Sequence, residues 1–312
     1  MSTATLTGPP RIQIQTQSGC NGRCVFCPNE AVLNSDLSQG RMPPARFQQI
    51  IDELAKTPPR RVSLYLQNEP MLDKRLPDFC RYVTERIPSA STLVTTNGTY
   101  LSEASAAALI GGGLKRIKVS IQSLVPERNM DIMGKVCDSD KVVKNVLGVR
   151  KVMKEMRAKA FDLRVSTIVT AMNEDEIGDM HRFWKSHGVK MVTSALENRG
   201  GNIANALEMN GAEMRTRSDC IRPHREMCVL FNGDAVLCCV DWHRVEVVGN
   251  VFQDGVANVW NGARLQHIRK AFKEGNTQAL PEICVNCTES ACSAKQRKGW
   301  PSFFRNVFAH AG

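Results

Sequence analysis

Several signatures of common protein classes are missing from the 312 residues of this chain. No stretch approaches the roughly 18 consecutive apolar residues of a membrane-spanning helix. The first residues, MSTATLTGPPRIQIQ, have neither the basic nor the apolar region of a secretory signal. The motifs GxSxG, Walker A, HExxH and GxGxxG are also absent, so nothing supports hydrolytic, kinase-like or nicotinamide-dependent chemistry. We therefore expect a cytoplasmic protein that does not use a membrane and whose cysteines are reduced.

The charge balance is basic. The chain has 41 Lys and Arg against 31 Asp and Glu, a formal net charge of +10, which favours anionic partners. The basic residues are scattered, however, and no aromatic and basic motif of an RNA-binding segment is found. We therefore expect a small-molecule substrate, which the charge allows to be anionic, rather than a nucleic acid. One basic group could bind such an anion or simply face solvent: Arg215, Arg217, Arg222, His224 and Arg225.

Cysteine is abundant, with 12 residues. In a reducing compartment, closely spaced cysteines indicate metal or catalytic sites before disulfides. The first group is Cys20, Cys24 and Cys27; the second is Cys220, Cys228, Cys238, Cys239, Cys284, Cys287 and Cys292. Outside both groups, Cys80 and Cys137 are predicted to be small buried hydrophobic residues.

Hydrophobic periodicity alternates between strand and helix along the first two thirds of the chain. Six strand-like runs are separated by helical patterns, and they span residues 11–16, 62–66, 92–95, 117–121, 163–169 and 189–193. This alternation is typical of right-handed βαβ units in a parallel sheet.

The pattern changes after Arg199. Asn232-Gly233 separates two short apolar runs, 228–231 and 235–238, which predicts a β-hairpin. One helix is predicted over 256–272. The hydrophobic content of this part is thin for independent stability, so we expect bound metal to hold it together.

The first cysteine group, Cys20-x3-Cys24-x2-Cys27, lies in the loop after the first strand. In a parallel barrel this is the rim where active sites are found. Three thiolates leave one metal position open, whereas structural zinc sites and ordinary ferredoxin clusters use four protein ligands. The alternatives are a zinc site with a distant fourth ligand, or reduced cysteines in the core.

The stretch CNGRCVFC resembles the cluster-binding motif of the radical S-adenosylmethionine (SAM) superfamily. The resemblance implies that the three cysteines hold a 4Fe-4S cluster whose fourth iron binds the amino and carboxylate groups of SAM. It also implies that Phe26 flanks the adenine, and that Gln67-Asn68-Glu69-Pro70 replaces the family's Gly-Gly-Glu-Pro motif, with Glu69 accepting from the SAM ammonium. Further cofactor contacts implied at strand ends are Asn68, Thr96, Asn97, Ser120, Gln122, Asn173 and Arg199, the last for the cofactor carboxylate or the substrate. Such polar residues also occur as ordinary hydrogen-bonding groups of loops.

The second cysteine group contains Cys220-x17-Cys238 and Cys284-x2-Cys287, four thiolates that suit one zinc ion or one iron-sulfur cluster. The arrangement resembles the SPASM or shorter twitch extension of radical SAM enzymes, which implies an auxiliary 4Fe-4S cluster. Because no cysteine follows Cys292, we expect one auxiliary cluster. This leaves Cys228, Cys239 and Cys292 unassigned as metal ligands. Cys239 follows Cys238 directly, and neighbouring strand residues point to opposite faces, so we do not expect both to bind one metal.

The fold class we predict is α/β, with a partial (β/α)6 barrel in residues 1–199 and a small cysteine-rich cluster-binding α/β extension in residues 200–312. By resemblance, an external electron donor such as flavodoxin or ferredoxin supports formation of a 5′-deoxyadenosyl radical. The favoured outcome is two-electron oxidation of a sugar- or cyclitol-like alcohol in natural-product biosynthesis. Alternatives are epimerisation of a sugar with Cys239 as hydrogen donor, peptide maturation, and a nucleic-acid-modifying or cluster-carrying binding protein.

Overall fold

The computed structural model describes residues 8–203, 206, 209 and 220–288. Within them, nine strands form one sheet in the order β6-β5-β4-β3-β2-β1-β7-β8-β9. The strands are β1 (Arg11–Ile14), β2 (Arg61–Ser63), β3 (Ser91–Thr96), β4 (Arg116–Ser120), β5 (Asp162–Val169), β6 (Lys190–Ala195), β7 (Glu226–Val229), β8 (Asp234–Val236) and β9 (Val247–Asn250). Strands β1 to β6 are parallel, which confirms the six predicted strands and the α/β class.

Helices connect the strands and continue into the cysteine-rich part. They are α1 (Asn29–Leu33), α2 (Pro44–Lys56), α3 (Leu76–Arg86), α4 (Glu103–Gly111), α5 (Pro126–Met133), α6 (Ser139–Glu155), α7 (Ile177–Ser186), α8 (Arg222–Arg225), α9 (Val251–Asp254), α10 (Val256–Trp260), α11 (Ala263–Glu274) and α12 (Glu282–Val285). None of the helices in the described part of the chain has the length and apolar character needed to cross a membrane.

Local sequence explains where the longer helices begin. The Asp138 side chain accepts from the Asp140 N–H at the start of α6, and Ser102 caps α4 through the Ser105 N–H. Val142, Val146 and Val149 recur at helical spacing and are fully buried against the sheet. The core therefore lies between the helices and one face of the sheet.

The opposite face of the sheet carries polar side chains. In β4, buried Ile117 and Val119 alternate with half-buried Arg116, Lys118 and Ser120. The register pairs Lys118 with Thr95 of β3 on one side and with Arg164 of β5 on the other. We call this side, which includes Thr95, Arg116, Lys118 and Arg164, the polar face.

Two features of the cysteine-rich part differ from the prediction. The hairpin is present, but β7 pairs in parallel with all four residues of β1, so the hairpin extends the main sheet. The single helix expected over 256–272 is wrong, because Asn261 and Gly262 separate α10 from α11. Gly262 has extended backbone angles and begins α11, which interrupts the helical hydrogen bonds.

Candidate active site

The loop of the first cysteine group is held from two sides at the carboxyl end of β1. The Gly19 carbonyl accepts from the Glu69 N–H at 2.9 Å. On the other side, the Arg23 and Val25 N–H groups donate to the carbonyls of Met133 and Ile132 at the end of α5. The backbone therefore places the three cysteines next to the Glu69 segment, where the motif required them.

The three thiols are close enough to one another to interact electrostatically. Burial, the charge of Glu69 and the neighbouring Cys27 raise the pKa of Cys20 to about 12. Burial and then Cys27, Cys137 and Cys20 raise the pKa of Cys24. Metal ligation requires thiolates, and iron would supply the positive charge that favours them. The donor set therefore fits an iron-sulfur cluster.

Within the described residues, no three His, Cys, Asp or Glu side chains stand at the separation required by a single metal ion. The assignment of individual cysteines as ligands therefore stays a prediction.

Glu69 is the hydrogen-bonding centre of the predicted cofactor contacts. Its buried carboxylate accepts from the Met71 N–H at 3.0 Å, the Thr96 hydroxyl at 2.6 Å and the Asn97 N–H at 2.7 Å. Burial raises the pKa of Glu69 to about 6 despite these bonds. A carboxylate has about four acceptor positions, so one position on Oε2 remains for an additional donor. An ammonium group would satisfy it.

The neighbouring residues support this carboxylate and the cysteine loop. The Thr96 hydroxyl donates to Glu69. The Asn97 side-chain amide donates to Asn21 Oδ1 at 2.8 Å and lies 4.0 Å from Cys20 Sγ. Asn68 accepts from the Leu66 N–H, and its buried Nδ2 has no hydrogen-bond partner among the described residues. Asn68 therefore keeps a free donor beside the motif, which suits the predicted cofactor contact.

Phe26 is buried beside the motif. Its ring packs in a small apolar cluster with Cys24, Cys137, Ile132 and Met133. Cys137 was predicted to be a buried hydrophobic residue and is one, and so is Cys80 in α3. The contact of Phe26 with adenine stays a prediction.

Three predicted cofactor contacts lie at the ends of β4 and β5, and they differ in how many hydrogen-bonding groups they have left for a cofactor. Ser120 is half-buried at the end of β4. The Gln122 side chain accepts from the Ile168 N–H at 2.8 Å. Asn173 donates both amide N–H groups, to the carbonyls of Gln122 and Ile168, and accepts from the Thr170 N–H. The Asn173 amide thus has no N–H left for a cofactor and instead joins the loops after β4 and β5.

Arg199 follows β6 and has a left-handed backbone with φ of 52°. Its Nη1 lies 3.7 Å from Glu197 Oε2, a long ion pair. The charge of Arg199 opposes the burial that raises the pKa of Cys27, so the guanidinium is within electrostatic range of the cysteine loop. This position suits the predicted binding of a carboxylate near the first cluster.

The four cysteines of the auxiliary set line one cavity in the C-terminal part. Its wall is otherwise apolar except for a single charged residue, and its lining comprises Cys220, Arg222, Pro223, Leu237, Cys238, Val240, Phe272, Ile283, Cys284 and Cys287. Four convergent thiols in an apolar cavity fit an iron-sulfur cluster. Hydrogen bonding from Cys239 and then the charge of Arg222 lower the pKa of Cys238, which favours its thiolate form.

Cys239 corrects one step of the sequence argument. Cys238 and Cys239 lie in the turn after β8, not in a strand, so strand alternation does not apply. Arg222 Nη1 lies 2.8 Å from Cys239 Sγ and 3.6 Å from Cys238 Sγ, so both sulfurs are on the same side of the turn. Cys239 nevertheless does not line the cavity, while Cys228 packs with Leu230 and Val236. Cys292, Arg215 and Arg217 lie outside the described residues.

Sequence reasoning missed Gln67 as a functional residue. The Gln67 side-chain amide donates to the Asp241 carbonyl at 2.8 Å and to the Cys239 carbonyl at 3.3 Å. The backbone carbonyl of Gln67 accepts from the Gln15 side-chain amide. Gln67 therefore links the motif next to Glu69 with the turn that carries Cys238. The available signal was the replacement of the family's first glycine by a long amide side chain.

Comparison with known proteins agrees with this geometry. The model of the Radical SAM superfamily matches residues 14–183, and that of an iron-sulfur cluster-binding domain, SPASM, matches residues 220–288. The S-adenosyl-L-methionine-dependent 2-deoxy-scyllo-inosamine dehydrogenase of Niallia circulans is 23% identical over 287 residues, which cover 92% of this chain and 95% of that enzyme. The GTP 3′,8-cyclase of Aquifex aeolicus is 30% identical over 184 residues, which cover 58% of this chain and 54% of the cyclase.

A solved structure, that of BtrN in complex with AdoMet and 2-DOIA, has the same fold. It matches with a TM-score of 0.61 at 22% identity, over 90% of this chain and 93% of BtrN. The superfamily model covers more than half of the chain. The protein is therefore an enzyme of the radical SAM superfamily, with SAM and a 4Fe-4S cluster as cofactors and an auxiliary iron-sulfur cluster in its SPASM domain.

Proposed function

We propose that this enzyme oxidises a sugar- or cyclitol-like alcohol to a carbonyl compound by two electrons. When bound, SAM and the reduced cluster supply a 5′-deoxyadenosyl radical that removes a hydrogen atom from the substrate carbon. The hydroxyl would lose a proton, and a cluster held by Cys220, Cys238, Cys284 and Cys287 would accept the remaining electron, so that the substrate loses two hydrogens in total. An external one-electron donor such as flavodoxin or ferredoxin restarts the cycle.

The observation that carries this proposal is the cavity lined by Cys220, Cys238, Cys284 and Cys287. A cluster in it would provide an acceptor for the second electron. Gln67 connects the turn of Cys238 to the motif of Glu69, so the two centres belong to one hydrogen-bonded framework. The similarity to a 2-deoxy-scyllo-inosamine dehydrogenase over 92% of the chain supports the same class of alcohol oxidation.

Epimerisation is the second candidate because Cys239 is a thiol outside the proposed ligand set, beside the auxiliary cavity. In an epimerase this thiol would return a hydrogen atom to the opposite face of the substrate carbon. The thiol hydrogen exchanges with water, so its isotope appears in the product.

One experiment separates the two outcomes. Anaerobically reconstituted enzyme is given SAM, a reductant and candidate cyclitols and sugars in deuterium oxide, and the products are analysed by mass spectrometry. We expect 5′-deoxyadenosine together with a product two hydrogens poorer and free of solvent deuterium. A product one mass unit heavier at unchanged oxidation state contradicts the oxidation, and its loss in Cys239→Ala would identify the donor. Absence of 5′-deoxyadenosine under all conditions contradicts both.

A further inference from the structure

One lysine on the polar face of the sheet has no hydrogen-bond or ion-pair partner within the described part of the chain. Lys118 lies in β4, and its ammonium forms no hydrogen bond or ion pair with any described residue. Its neighbours in the same face are paired, since Arg116 and Arg164 share the Asp162 carboxylate at 2.6 and 2.8 Å. Lys118 therefore differs from these two neighbouring arginines, whose charges are neutralised by Asp162.

The surroundings of Lys118 are positive. The charges that act on it are those of Arg199, Arg61 and Arg116, with Glu197 as the opposing carboxylate. Burial is the main reason why the pKa of Lys118 is lowered, and the arginines add to it. A half-buried ammonium among other cations is destabilised unless an anion joins it.

A second polar group next to Lys118 is also unsatisfied. Thr95 is the register partner of Lys118 in β3, and side chains in such pairs are neighbours. Its buried hydroxyl has no hydrogen bond of ordinary geometry with the described residues, although an interaction with it lowers the pKa of the Tyr65 phenol against the effect of burial. An ammonium and a hydroxyl are thus left side by side, both able to donate to one ligand.

These groups interact with residues near both cysteine sets. The charge of Arg199 acts on both Lys118 and Cys27 of the first set. Tyr65 interacts with Thr95 and with Cys239, which is close to the auxiliary cavity. Ser120, a predicted SAM contact, is two residues further along β4 on the same face. A molecule at Lys118 would therefore be close to the predicted SAM contact at Ser120.

We propose that Lys118 and Thr95 bind an anionic oxygen group, a carboxylate or a phosphate, on the substrate. The proposal rests on the proposed function, because it places the substrate of that radical reaction. It narrows the substrate to a polar metabolite that carries an acidic group in addition to the hydroxyl that is oxidised. The ammonium and the Thr95 hydroxyl hold the acidic group, and the substrate's reacting carbon is directed towards the rim.

The test compares matched neutral and anionic probes on the reconstituted holoenzyme with SAM bound. The pairs are glucose with glucose 6-phosphate, glucose with glucuronate, and myo-inositol with myo-inositol 1-phosphate; inorganic phosphate and acetate are the minimal anions. Binding is measured anaerobically by titration calorimetry for wild type, Lys118→Met, Lys118→Arg and the exposed control Lys115→Met. SAM affinity and 5′-deoxyadenosine formation with dithionite are measured in parallel.

We expect anionic probes to bind wild type about tenfold more tightly than the matched neutral probes. This is the affinity ratio that corresponds to one charge-assisted hydrogen bond. Lys118→Met should lose this preference, Lys118→Arg should keep most of it, and Lys115→Met should match wild type. The proposal is overturned if no anionic probe, phosphate and acetate included, distinguishes wild type from Lys118→Met. It is also overturned if Lys118→Met loses affinity for SAM alone, which would assign the lysine to the cofactor carboxylate.

The two levels of the proposal fail separately. Formation of 5′-deoxyadenosine without any anion preference rejects the Lys118 site and leaves the proposed function intact. Anion binding without SAM cleavage rejects the proposed function while the Lys118 site stands.

Discussion

Gln67 Nε2 donates a hydrogen bond of 2.8 Å to the Asp241 carbonyl, joining residues 174 positions apart in the chain. Gln67 precedes Glu69 by two residues, and Asp241 follows Cys238 by three. Asp241 in turn fixes its own turn by accepting from the Val245 and Glu246 N–H groups. The segments of the predicted SAM-binding carboxylate and of a predicted auxiliary-cluster ligand, Cys238, are therefore joined by one buried network.

Removing this link should destabilise the protein and loosen the auxiliary site. Gln67→Leu keeps the volume but leaves the buried Asp241 carbonyl without its donor, at a cost of about 1 to 3 kcal/mol in the free energy of unfolding. We expect lower retention of the auxiliary cluster, seen as iron lost during anaerobic buffer exchange. The exposed Gln48→Leu is the control. Equal stability and iron content in the two variants would contradict a coupling role for Gln67.

Iron content tests the two cysteine sets. Anaerobic reconstitution should give about eight iron atoms per chain, four for each 4Fe-4S cluster. Changing Cys20, Cys24 and Cys27 together to Ala should halve the iron and abolish SAM cleavage. Single Ala changes at Cys220, Cys238, Cys284 or Cys287 should lower iron and stability, because cluster binding contributes to folding there.

The buried Cys80→Ala is the matched control for cysteine loss. It removes a sulfur from the core and should cost only about 1 kcal/mol in stability while the iron content stays at the wild-type value. About four iron atoms and one zinc ion in wild type would contradict the auxiliary cluster. Loss of iron in Cys228→Ala but not in Cys284→Ala would reject the ligand assignment.

The order of strands and helices was predictable because each element buries one face, and this gives its hydrophobic residues a regular spacing in the sequence. The Asp138 and Ser102 side chains cap the starts of α6 and α4, as is typical of short polar residues at these positions. The spacing of the first cysteine group and the rim position of Glu69 also followed from local sequence. The hydrogen bonds of Glu69 with Thr96 and Asn97 agree with the expectation that strand ends meet at one edge.

Contacts between distant segments could not be read from local patterns. The reach of Gln67 to Asp241 and the pairing of β7 with β1 depend on how the cysteine-rich part folds back onto the sheet. The prediction that Cys238 and Cys239 point to opposite faces was wrong, because the strand ends at Val236 and a turn begins. In a turn, successive side chains have no fixed alternation. The helical period of 256–272 also does not show the break at Gly262, although Asn261-Gly262 is the same turn-forming dipeptide as Asn232-Gly233.

Glu69 offers a test of cofactor binding that does not depend on turnover. Glu69→Gln replaces a charged acceptor by an amide whose NH2 would face the Asn97 N–H or the Met71 N–H. We expect SAM affinity to fall about tenfold or more, since a charge-assisted hydrogen bond is lost. Iron content should remain at the wild-type value, because Glu69 is not a cluster ligand.

The exposed Glu85→Gln on α3 is the control for the same chemical change. Equilibrium dialysis of labelled SAM against the reconstituted proteins measures the difference. Unchanged SAM affinity in Glu69→Gln would remove Glu69 from the set of cofactor contacts, and loss of iron would assign it to the cluster loop instead.

Arg269 should be required for the stability of the auxiliary site although it binds no metal. The guanidinium is buried, donates to the Pro223 carbonyl at 2.8 Å and the Trp260 carbonyl at 2.7 Å, and stacks 4.0 Å from the Trp260 ring. Pro223 belongs to α8 and lines the cysteine cavity, so Arg269 holds one wall of that cavity in place. No carboxylate pairs with Arg269 among the described residues, and burial lowers its pKa to about 10.

Arg269→Lys keeps the charge but cannot reproduce the fork that reaches both carbonyls. One buried carbonyl loses its donor, and we expect the free energy of unfolding to fall by about 2 to 3 kcal/mol. Arg264→Lys on the same helix is the control, since its guanidinium is half-exposed and its ion pair with Glu246 is worth about 1 kcal/mol. Urea unfolding of the holoenzyme and its iron content after buffer exchange measure both effects. If Arg269→Lys unfolds at the same urea concentration as Arg264→Lys and keeps its iron, the wall of the cavity is held by the apolar packing of α11 alone.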